Sequence, residues 1–133
     1  MKSIIKKTLL VMITPILCSC AGSTMVVYDR SNRIGSVLST TSTKISLSCQ
    51  KCNGETLYQL VVKESMSLAI NANISLEDGS LLITVMDANK DLIFENIYKE
   101  DAIFEVPLKE YGKQFIKINH SDFKGKYTFT WGK

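Results

Sequence analysis

A chain of 133 residues with a formal charge of +3 is long enough for one compact domain and a short leader. The whole excess sits in Lys2, Lys6 and Lys7; from residue 20 onward, 13 basic residues balance 13 acidic ones. A nucleic-acid-binding function is excluded on that count, because no basic patch or aromatic-interleaved basic run is left to neutralise phosphates.

The first 19 residues read as a targeting segment. Lys2, Lys6 and Lys7 form a charged start, and Thr8 to Leu17 is apolar apart from Thr8 and Thr14. Such a run is a signal core rather than a membrane span, which needs about 20 apolar residues. It ends in Leu17-Cys18-Ser19-Cys20. That tetrapeptide resembles the lipobox of bacterial lipoprotein precursors, with Leu17 at −3, small Ser19 at −1 and Cys20 as the acceptor thiol. The resemblance implies cleavage before Cys20, a diacylglycerol (palmitate-type) anchor on Cys20, and a place on the cell membrane or outer membrane, facing the periplasm or the exterior. More than one acyl chain satisfies the requirement for stable anchoring.

Residues 20–43 are rich in Ser and Thr, ending in Ser39-Thr40-Thr41-Ser42-Thr43. That composition predicts a tether, interrupted by Met25-Val26-Val27-Tyr28, which is a candidate for one short added strand. From residue 44 to 133 the period is two. Lys44–Cys49 and Leu57–Lys63 read as strands. Met66, Leu68, Ile70, Ala72, Ile74 and Leu76 then alternate with polar or small residues, as a strand with one buried face does. Asp78-Gly79 predicts a turn, and Leu81–Met86 is apolar enough to be covered on both faces. Asp87 to Asp91 is a second turn before Leu92–Tyr98. Ala102–Leu108, Gln114–Asn119 and Lys126–Trp131 complete about eight strands, and no segment has a helical period. The expectation is an all-β, antiparallel, jelly-roll-like β-sandwich behind a signal helix and tether.

Few residues offer chemistry. Cys49-Gln50-Lys51-Cys52 has the spacing of a redox pair, but Asn53-Gly54 and a strand follow it, where a thiolate would need a helix N-terminus. The favoured reading is a structural disulfide in an oxidising compartment. In one extended strand the two Cα atoms would lie about 10 Å apart, so a bridge requires the strand to end near Cys49 and the chain to curl through Gln50 and Lys51. Zinc lacks a second ligand pair, since His120 is the only histidine and Cys20 is taken by lipid. Asp87, Asn89 and Asp91 have the first spacing of a calcium loop, but Leu92 and Tyr98 stand where Gly and Glu are needed. No metal or other cofactor is expected. His120, Ser121 and Asp122 are adjacent and cannot converge as a triad, so Asn119–Asp122 reads as the loop before the last strand. Lys124 and Lys126 read as a solvated end beside a turn. Tyr111, Phe115, Tyr127 and Trp131 are candidates for a binding platform, with a core-and-rim role the stronger reading.

The hairpins and the closing Gly125-Lys126-Tyr127-Thr128-Phe129-Thr130-Trp131 resemble small extracellular bacterial β-sandwich modules, such as pre-peptidase C-terminal domains. The resemblance implies a module that binds or supports rather than catalyses. The expected partners are the membrane, through the lipid, and an envelope protein or polymer. Two alternatives are a structural, assembly or immunity-type lipoprotein working through its strand edges, and a thiol-disulfide redox protein using Cys49 and Cys52.

Overall fold

The computed structural model describes residues 25–132; the expected signal segment, the expected lipobox and Cys20 lie outside the described residues. Seven antiparallel strands form one sheet: β1 (Val26–Ile34), β2 (Val37–Thr40), β3 (Lys44–Val62), β4 (Ala69–Met86), β5 (Leu92–Tyr98), β6 (Ala102–Pro107) and β7 (Gly112–Thr130). Three of them, β3, β4 and β7, are 18 or 19 residues long and lie side by side, with β7 in the centre.

Each long strand bends near its middle, so that the sheet folds over into two layers. The first layer runs β2, the start of β3, the end of β7, the start of β4, and β6. The second runs β1, the end of β3, the start of β7, the end of β4, and β5. The expected sandwich is present, and the alternation explains it. Ile45 and Leu47, Ile70, Ala72 and Ile74, and Tyr127, Phe129 and Trp131 point inward from the first layer. Tyr58, Leu60 and Val62, Leu81, Ile83 and Val85, and Ile116 and Ile118 point inward from the second. At one open side, Phe104 of β6 stacks on Phe94 and Tyr98 of β5, with centroids 5.5 and 4.8 Å apart, and ties the layers together. Where β4 changes partner between β5 and β6, the Asp101 carboxylate accepts the freed Leu76 N–H at 2.8 Å.

Three expected turns are bends within continuous strands. Register shifts mark them at Cys49/Cys52 and Cys52/Gly54 in β3 and on both sides of Asp78 in β4. Such bulges add a residue to one strand and turn it without ending it. Gly79, at φ 79°, sits so close to Ser121 and Asp122 that a Cβ would overlap their carbonyl oxygens. Gly125 likewise leaves no room for a Cβ against the Ser75 carbonyl. Asn119–Asp122, expected as a loop, is therefore part of β7, with Asp122 at φ 49° in its bend. The bends of β3 and β7 are clamped reciprocally: Asn53 Nδ2 donates to Asp122 Oδ1 at 3.1 Å, and the Asp122 N–H donates to Asn53 Oδ1 at 2.9 Å.

The tether expectation also changes. Residues 26–34 and 37–40 are strands of the sheet, paired along β3 from Gln59 back to Ile45. Their Ser and Thr content reflects edge positions with one wet face rather than a lack of structure. The Asp87–Asp91 turn is as read: the Asp87 side chain accepts the N–H groups of Asn89 and Asp91, both at 2.9 Å.

Candidate binding groove

The residues singled out by sequence fall into three places. Cys49 and Cys52 are bonded to each other, with Cα atoms 6.3 Å apart, and both are buried. The expected end of the strand does not occur. Instead, three steps along β3 from Cys49 to Cys52 oppose two steps along β7, from Gly125 to Phe123, and this bulge brings the sulfurs together. The surroundings are strands, with no helix dipole at the pair among the described residues.

His120, Tyr127 and Tyr58 form a chain in the core. The Gly54 carbonyl can only accept, so His120 Nδ1–H donates to it at 2.8 Å. His120 Nε2 then accepts from the Tyr127 hydroxyl at 3.1 Å, and Tyr127 in turn accepts from the Tyr58 hydroxyl at 2.8 Å. Burial holds the His120 pKa below its usual value, and pushes Tyr58 up to about 12 and Tyr127 well above 10. These groups are occupied in holding the two layers in register. Asp29 lies on the inner face of β1. Partial burial would raise its pKa, but hydrogen bonds from Ser31 and Thr56 and the charge of Arg33, 2.6 Å away, lower it on balance.

The four candidate platform aromatics do not come together. Tyr127 and Trp131 are core residues, 0% and 3% exposed, and no surface ligand can stack on them. Tyr111 is exposed in the loop before β7. Only Phe115 borders a groove, on the outer face of the second layer.

That groove has a volume of about 480 Å³ and runs along β3. Glu55, Leu57 and Gln59 point outward from β3 at alternate positions and form its floor. Over the four steps from Glu55 to Gln59 the floor spans about 13 Å. One wall is β1, where Tyr28 pairs with Leu57 and Arg30 with Glu55. The other is Phe115, paired with Gln59, with the Lys90 ammonium 5.3 Å from its ring centre. Lys90 reaches that position from the Asp87–Asp91 turn, where it adopts φ 66°. Tyr28 is the ring that faces solvent, 53% exposed. The platform reading from sequence missed Tyr28, Arg30 and Lys90. The signal was there in part: Met25 to Tyr28 has strand character, and carrying its alternation forward puts Tyr28 and Arg30 on one face.

No protein-family model matches the chain, and no curated protein matches it in sequence. Among solved structures it is similar to a family 6 carbohydrate-binding module, at 12% identity over 83% of this chain and 93% of that one, with a TM-score of 0.45. It is similar to a family 35 carbohydrate-binding module from Clostridium thermocellum, at 13% identity over 80% and 96%, with a TM-score of 0.40. The third is PirA, at 10% identity over 78% and 94%, with a TM-score of 0.43.

Proposed function

We propose that this protein is a lipid-anchored component of a bacterial cell envelope whose small β-sandwich binds an extended envelope polymer without chemically altering it. The observation that carries the reading is the groove along β3. It is long and open rather than enclosed, and pairs an exposed ring, Tyr28, with planar polar side chains at Arg30, Glu55 and Gln59. A chain-like ligand laid along the groove meets an apolar floor at Leu57, a flat ring to stack on and several hydrogen-bonding groups, a combination that suits recognition more than bond cleavage. The anchor rests on Leu17-Cys18-Ser19-Cys20, with Cys20 as the lipidated residue.

Co-sedimentation of the full chain, in mild detergent, with insoluble envelope polymer tests the reading. Tyr28→Ala should abolish most of the pelleting while leaving the circular dichroism spectrum and melting temperature unchanged, because Tyr28 sits on the outer face and supports no core contact. Undiminished pelleting of Tyr28→Ala would sink the groove as the binding site.

A further inference from the structure

The charges around the groove narrow the ligand. Its face carries four cations: Arg30 on β1, Lys113 and Lys117 flanking Phe115 on β7, and Lys90 above the ring. Among the described residues the ion pairs are Arg33 with Asp29 and Lys124 with Glu77; none involves these four. Arg30 lies directly opposite Glu55 in the sheet, yet the two form no ion pair. Glu95, the other acid on this face, is occupied in accepting the Thr84 hydroxyl at 3.0 Å. The chain beyond residue 19 is charge-balanced, so a face with four cations outside any ion pair among the described residues and two carboxylates is a local excess of positive charge.

We propose, resting on the groove reading above, that the polymer is an acidic polysaccharide bearing carboxylates, a polyuronate in chemical class. The cations supply sites for carboxylates spaced along an extended chain. Glu55 selects between anions. An ionised carboxylate only accepts, so it needs a ligand that donates hydroxyl protons beside its negative charges. A sugar acid does so; a polyphosphate does not, and Glu55 repels it. Tyr28 supplies the ring surface on which the apolar face of a sugar lies.

Calorimetry with the full chain in detergent distinguishes the outcomes, using oligogalacturonate, its fully methyl-esterified form and inorganic polyphosphate. Oligogalacturonate should bind, with affinity falling as salt rises. The methyl ester should bind at least tenfold more weakly, polyphosphate more weakly than oligogalacturonate, and the double variant Arg30→Gln/Lys90→Gln should lose at least tenfold for the acid alone. Both side chains are outside the core, so a folded variant is expected and is checked by circular dichroism. Equal binding of acid and ester, abolished by Tyr28→Ala, overturns the acidic class and leaves the groove reading standing. Tighter binding of polyphosphate than of oligogalacturonate also overturns the class. No saturable binding of any saccharide overturns both.

Discussion

His120 is the residue whose chemistry the fold constrains most. Burial keeps the ring neutral, and in that form its Nδ1–H donates to the Gly54 carbonyl while its Nε2 accepts from the Tyr127 hydroxyl. Burial lowers its pKa below the unfolded value of about 6.5. Its contribution is therefore fully present above about pH 6.5. As pH falls through that value the unfolded state takes up the proton first, and stability declines until the folded pKa is reached. Urea midpoints measured from pH 8 to pH 5 should be flat and then fall, and the fall should be absent in His120→Gln. Asp29, with its lowered pKa, acts in a separate window, below the ordinary carboxylate value. The same chain predicts an asymmetry between its two tyrosines. Tyr127→Phe orphans the Tyr58 donor and the His120 acceptor, each costing about 1 to 3 kcal/mol. Tyr58→Phe removes only the terminal donor, and should cost about 1 kcal/mol. Equal losses for the two in denaturant titrations would contradict the direction assigned to these hydrogen bonds.

At the scale of elements, the bends decide the architecture. Gly79 has a left-handed φ and no room for a Cβ beside the Ser121 and Asp122 carbonyls, so Gly79→Ala should lower stability by at least about 2 kcal/mol. Gly112, with φ 102° but open space around it, is the control: Gly112→Ala carries backbone strain without a clash and should cost less. The Cys49–Cys52 bridge pins the bend of β3. It closes a short loop, so replacing both cysteines with serine should lower stability by about 2 kcal/mol in a denaturant titration. Disulfide-reductase assays of the wild type should show no turnover. Turnover abolished by Cys49→Ser would promote the redox alternative, since a buried pair held inside a strand is otherwise inert.

For the whole molecule, the sandwich is two halves of one folded sheet. Its two layers share β3, β4 and β7, and this continuity places β1, a strand near the N-terminus, across β3 from Phe115 of β7. The proposed lipid anchor depends on Leu17 to Cys20, before the sandwich begins. A fatty-acid probe fed to expressing cells should label the wild type and not Cys20→Ala; equal labelling of both would remove the lipoprotein reading.

The all-β class and the inward residues were legible because period-two alternation is a local pattern: Ile70, Ala72 and Ile74, or Tyr127, Phe129 and Trp131, declare their face without knowing their partners. The proposal of a lipobox likewise rests on adjacent residues alone, Leu17 to Cys20. What the sequence leaves open is whether a Gly-containing break reverses a strand or bends it. Asp78-Gly79 and Asn53-Gly54 suit both, and only contacts with Asp122 and His120 on β7 select the bend. The same distance in sequence hid the groove. Tyr28, Leu57, Lys90 and Phe115 meet only after β1 and β7 flank β3, and residues that looked like a tether were strands because pairing satisfied their backbone groups. Alternation fixes which side of a strand is wet; which wet side chains become neighbours is set by strand order, and strand order is a property of the folded sheet.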